Sequence, residues 1–167
     1  VFEKKTAEAP DMLGSYIIGG SKSGATAAAV WAAHRTLPLN VTGYGRLIGS
    51  SIETAQRFRD FLKKLKFNVK GKEVDVYPLD NPDFNMVDWV LKINGETSLK
   101  KTNELNEKMF NFSSIYDSHV YSNRFITSHT IFRKDTYGDS PVPFIKRIGF
   151  SEDEWNKVGA VTLLRAA

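Results

Sequence analysis

Cysteine is absent from the 167 residues. That excludes disulfides, thiol nucleophiles and cysteine-ligated zinc, and it fits a reducing compartment. Histidine is scarce, and His34, His119 and His129 match no metal-ligand spacing, so no metal site is expected. His129 reads as a structural residue on a strand. No apolar run approaches the roughly 20 residues needed to cross a bilayer, and no stretch reads as a signal peptide. The Asn40-Val41-Thr42 and Asn111-Phe112-Ser113 matches to a glycosylation acceptor are therefore taken as chance, and the expected location is cytoplasmic, without membrane attachment. Charge of one sign is also lacking: 23 Lys and Arg are interleaved with 19 Asp and Glu, for a net charge of +4. The densest basic run, Lys63-Lys64-Leu65-Lys66, reads as a solvated helix end rather than a nucleic-acid surface. Nucleotide loops fail as well. Gly14 and Gly19 have the spacing of a phosphate loop, but Gly20 stands where lysine is required. Gly43-Tyr44-Gly45 has its next glycine at 49 and no strand before it.

What is present is globular. The hydrophobic share is 41%, with 11 Phe, 6 Tyr and 3 Trp, enough for a real core. Ser21 or Ser23 can cap a helix over residues 24–35, with small side chains at 25–29, and Pro38 stops it. A second helix is expected over 44–66, with Leu47, Ile48, Ile52, Ala55, Phe58, Phe61, Leu62 and Leu65 on one face. Strand-like runs follow at 74–78 and 86–93, then a helix from Leu99 to Tyr116 with Leu99, Thr102, Leu105, Met109, Phe112 and Tyr116 on one face. A strand is expected over 124–133. Ser140-Pro141 opens a short helix that ends at Gly149, and Ser151 with Glu154 forms a capping box for another. The last strand covers 160–166. This order gives an α+β fold, split near residue 70: a helical piece over 1–70, then a unit over 71–167 with a mainly antiparallel sheet covered by helices on one face. The chain opens at Val1 and stops inside an apolar strand, and it reads as a fragment of a longer polypeptide.

One segment carries chemistry. In Gly19-Gly20-Ser21-Lys22-Ser23-Gly24-Ala25 the start of a helix offers free N–H groups, a favourable dipole and two hydroxyls to an anion. A serine cap with glycines in a tight turn accounts for the same residues without a ligand, and a standalone α+β anion-binding module is one reading of the whole chain.

The block Gly20-Ser21-Lys22-Ser23-Gly24-Ala25, continued by Ala27, Ala28, Val30, Trp31, Ala32 and Ala33, resembles the Gly-Ser-(Lys/Arg)-x-Gly-Ala pattern of group II pyridoxal-phosphate-dependent decarboxylases. Further blocks narrow the likeness. Leu37 to Gly45, Pro82 to Asp88, Thr127 to Thr130, Gly149 to Asn156 and Val161 to Ala166 are similar to bacterial tyrosine decarboxylases. The resemblance implies the end of a fold-type-I large domain followed by a small C-terminal domain. It implies pyridoxal 5'-phosphate as cofactor, an amino-acid substrate, a homodimer, and carboxy-lyase activity in the full-length enzyme. Glutamate or a broader set of aromatic amino acids are alternative substrates. It places Gly20, Ser21, Lys22 and Ser23 at the cofactor phosphate across the subunit boundary. It also places Arg165 near the substrate carboxylate, with Ala166 and Ala167 beside the substrate pocket, although a surface arginine at a strand end is the plainer account of Arg165. The Asp-x-His-Lys motif that carries the family's cofactor-binding lysine has no match here: Asp117-Ser118-His119 is followed by Val120. No catalytic residue is therefore expected in this segment, and the segment alone is expected to be inactive.

Overall fold

The computed structural model describes residues 23–80, 84–114 and 126–166, and the chain divides into two compact units, 1–47 and 48–167. In the first unit, α1 (Gly24–Thr36) begins at Ser23, whose Oγ accepts from Ala25 N at 3.2 Å. Of the two serines expected as caps, Ser23 takes the role, and Ser21 lies outside the described residues. Pro38 ends the helix through its neighbour: Leu37 is extended, at φ −128° and ψ 91°, because an α conformation there would clash with the proline ring. A tight turn follows. Asn40 Oδ1 accepts from Thr42 N, Thr42 Oγ1 and Gly43 N at 2.9–3.0 Å. Gly43 is required by proximity, since a Cβ there would lie 2.1 Å from the Pro38 carbonyl oxygen. The next helix, α2 (Tyr44–Lys64), starts in this unit and runs on into the second.

The second unit is a five-stranded sheet in the order β1-β2-β3-β5-β4, antiparallel throughout. Its strands are β1 (Lys66–Val69), β2 (Lys72–Pro78), β3 (Val87–Ile93), β4 (Ser128–Arg133) and β5 (Ala160–Ala166). The helices are α3 (Leu99–Ser114), α4 (Lys134–Tyr137), α5 (Val142–Arg147) and α6 (Glu152–Val158). The α+β class and antiparallel sheet thus agree with expectation, while β1 and α4 are additions. Their four residues each are too few for periodicity to register.

Helices cover both faces of the sheet rather than one, because β3 and β5 bury apolar side chains on both sides. Val90, Val161 and Leu163 pack with Ile145, Ile148 and Trp155 of the α5–α6 region. Val87, Trp89 and Leu164 point the other way, onto Ala55 and Leu62 of α2, with Phe58 and Leu65 beside them. The expected stripe on α2 is buried only in part. Ile48 is 51% exposed and Phe61 56%; Phe61 lies roughly 80° around the helix from the seam at 100° per residue.

Helix α3 departs most from its pattern. Phe112 is exposed, and Tyr116 lies outside the described residues, whereas Asn103 and Asn106 are buried with Leu99, Thr102 and Ser113. The reason is the sheet. The β3–β5 ladder consists of three residue pairs, from Val87–Ala166 to Trp89–Leu164. Beyond it, asparagine amides supply partners to the backbone of both strands. Asn106 accepts from Leu91 N and donates to Leu91 O, both at 2.9 Å. Asn103 donates to Ala160 O at 2.9 Å and accepts from Thr162 N at 3.0 Å. A side-chain amide has the donor and acceptor of a peptide group, so each asparagine imitates a piece of neighbouring strand.

Two helix starts also differ from expectation. Pro141, not Ser140, is the N-cap of α5, and no side chain caps it. Ser151 caps α6 through Glu154 N at 3.1 Å, but the Glu154 carboxylate turns to Leu99 N at 2.9 Å and so caps α3. The first turn of α3 has no acidic residue of its own, so this borrowed charge meets the helix dipole.

Replacing Asn106 by Ala strips both polar groups of Leu91 of their partner and should cost about 3 kcal/mol. Phe112→Ala, on the exposed face, should stay within about 0.5 kcal/mol of wild type. Urea unfolding midpoints of the two variants check the contrast.

Candidate functional site

Three residues from three strands meet at one end of the sheet. Asp88 on β3 and Arg165 on β5 are direct cross-strand partners. Arg165 Nε donates to Asp88 Oδ1 at 3.0 Å, and Thr130 Oγ1 on β4 donates to the same oxygen at 3.2 Å. The sheet imposes this meeting. Alternation puts Asp88, Val90 and Lys92 on one face of β3, and Val161, Leu163 and Arg165 on that same face of β5. The Asp88 side chain is 13% exposed and that of Arg165 is 31% exposed, so the carboxylate is held inward and the guanidinium outward. Asp88 engages only Nε; the terminal nitrogens of Arg165 have no partner among the described residues. Ser128, directly opposite Arg165 on β4, is exposed.

Asp88, Thr130 and Arg165 were not linked by the sequence, although each sits in a separate block that carried the family resemblance. A signal was present for Asp88: it is an acid inside the apolar run from Met86 to Val90. Nothing comparable marked Thr130.

Ser23 belongs to the first unit, while Gly20, Ser21, Lys22 and Ala167 lie outside the described residues. Ala166 points to the sheet face opposite Arg165, because neighbours along a strand alternate. There it lines an apolar cavity of about 340 Å³ with Phe58, Trp89, Leu91, Met109 and Leu164. His129, on β4, sets its ring 3.9 Å from that of Phe110. Two lysines of the basic run have acidic partners: Lys63 pairs with Asp80 at 3.2 Å and Lys66 with Glu73 at 3.1 Å.

Lys92 is another charged group on the Arg165 face, opposite Asp75 of β2. It is buried, donates to Ile148 O at 2.8 Å and lies 4.6 Å from the centre of the Phe150 ring. Desolvation lowers its pKa from the usual 10.5, and Asp75 and Glu96 oppose that shift in part. The unfolded chain thus holds a proton that the folded chain has begun to release as pH approaches 10.5 from below. Stability contributed by Lys92 therefore rises with pH through this window. Denaturation of wild type and Lys92→Met at pH 7 and pH 10.5 should show wild type gaining relative to the variant at the higher pH.

Fold and cluster together define an antiparallel α+β domain with an arginine–aspartate pair at one sheet end. The family described as "Tyrosine decarboxylase, C-terminal" matches residues 54–167. Over all 167 residues the chain is 65% identical to the L-tyrosine decarboxylase of Enterococcus faecium. It is 55% identical to that of Levilactobacillus brevis and 53% to that of Enterococcus faecalis V583. The chain belongs to the tyrosine decarboxylase family, in agreement with the resemblance seen in its sequence blocks. It spans 26–27% of the length of these relatives.

Proposed function

We propose that this chain is the C-terminal part of a pyridoxal-phosphate-dependent L-tyrosine decarboxylase, a carbon–carbon lyase that forms tyramine and CO2. The observation that carries the reading is 65% identity to an L-tyrosine decarboxylase along the entire chain. In this reading the N-terminal helical piece is the end of a fold-type-I large domain, and the sheet unit is the small C-terminal domain. The working enzyme is a cytoplasmic homodimer.

Gly20, Ser21, Lys22 and Ser23 would hold the cofactor phosphate of the neighbouring subunit. The start of α1 is compatible with that role. Ser23 Oγ is an acceptor for Ala25 N, which leaves its own hydrogen to donate outward, and among the described residues nothing beyond its chain neighbours and its own helix backbone lies within 4 Å of a Cβ placed on Gly24. When bound, pyridoxal phosphate supplies the electron sink for the carbon that loses CO2. The protein's part in this segment is to bind and orient. Arg165 would receive the substrate carboxylate end-on through its terminal nitrogens. That contact captures the substrate and adds nothing specific to the transition state, so Arg165 serves substrate capture more than the chemical step.

The test uses the full-length polypeptide containing this segment. It should release CO2 and tyramine from L-tyrosine, in preference to L-glutamate or other aromatic amino acids, while residues 1–167 alone release none. Preference for L-glutamate would overturn the substrate assignment. Ser21→Ala in the full-length protein should weaken cofactor retention about tenfold to hundredfold, the equivalent of losing a charge-assisted hydrogen bond. Titration of the apo form with pyridoxal phosphate measures it.

A further inference from the structure

We propose that Asp88 is a positioning residue, which with Thr130 fixes the Arg165 guanidinium so that its terminal nitrogens present a ready-made fork to a carboxylate. The inference deepens the reading of Arg165 above and rests on it.

Four observations carry the proposal. The first is register: Asp88 and Arg165 face each other within the short β3–β5 ladder, and buried Val87 and Trp89 flank Asp88. The backbone therefore sets where the carboxylate stands. The second is convergence, because Nε of Arg165 and Oγ1 of Thr130 approach the same oxygen, Asp88 Oδ1, at 3.0 and 3.2 Å. The hydroxyl holds the carboxylate while the carboxylate holds the guanidinium. The third is what remains uncommitted among the described residues. A contact through Nε alone leaves the edge formed by the two terminal nitrogens, the edge whose geometry matches two carboxylate oxygens. The fourth is exposure: the guanidinium is the more exposed partner, at 31% against 13%.

Arginine is a rotamer-rich side chain, and ordering it on binding weakens the complex. A group that orders it beforehand removes that cost without touching the ligand. Positioning requires an acceptor at Oδ1 rather than a charge. An asparagine at 88 keeps the acceptor, and an alanine does not.

In the full-length enzyme, Asp88→Ala should raise KM for L-tyrosine about tenfold, with kcat nearly unchanged, and Asp88→Asn should restore KM to within about threefold. Thr130→Val should fall between them. The inhibition constant of tyramine, which has no carboxylate, should stay within about twofold in all three variants. A purely structural role for Asp88 would instead weaken tyrosine and tyramine together, and that result overturns the proposal. So does a KM for Asp88→Ala within twofold of wild type.

A second arm needs neither cofactor nor turnover. In the 167-residue chain, the Arg165 Nε–H resonance should shift on addition of sodium acetate but not sodium chloride. Asp88→Ala should raise the half-saturating acetate concentration about tenfold; unchanged acetate binding overturns the proposal. If the acetate response is as expected while the full-length enzyme ignores tyrosine, positioning stands and the tyrosine assignment falls. If tyrosine is turned over and both Asp88 arms are flat, the assignment stands and positioning falls.

Discussion

Two buried amides join the halves of the sheet. An antiparallel sheet wants its strands paired along their length, yet β3 and β5 share a ladder of three pairs. The backbone groups of Leu91, Ala160 and Thr162 would otherwise face the interior unpaired, and each such group is costly. Asn103 and Asn106, one turn apart on α3, supply those partners. Because the bonds are directional, they set where α3 lies against β3 and β5. Leu99 at its start then joins the cluster on one face of the sheet, and Met109 and Phe110 near its end pack against the cluster on the other. Helix α3 thus belongs to both cores.

The polar cluster depends on the same arrangement. It sits where β3 and β5 do pair, so its geometry follows from the rung Asp88–Arg165. A one-residue slip of β5 would send Arg165 to the opposite face, among Trp89 and the cavity-lining side chains. The apolar neighbours on both sides, Leu163 and Leu164 among them, make that slip expensive, since they too would be exchanged between the two cores.

Separation of roles between adjacent residues follows from the strand itself. Arg165 and Ala166 are consecutive and seemed in the sequence to border one pocket. Alternation assigns the guanidinium to the face of α5 and α6, and the methyl group to the apolar cavity against α2. A single strand therefore presents a polar anchor on one side and apolar space on the other.

The amino-acid sequence by itself determined the family, the α+β class, the antiparallel sheet and the main helices. These rest on local information: block motifs, apolar periodicity, and cap or breaker residues that act within a few positions. It also carried Arg165 as a candidate and Asp88 as an acid in an apolar run. Tertiary structure alone decided that α3 turns asparagines rather than Phe112 inward, because the need arises from backbone groups fifteen residues away in β3 and more than fifty away in β5. It alone decided that Glu154 caps a different helix from its own, and that helices cover both sheet faces. It alone brought Asp88, Thr130 and Arg165 to one oxygen atom, since register between distant strands comes from packing the two cores together and leaves no trace in local pattern.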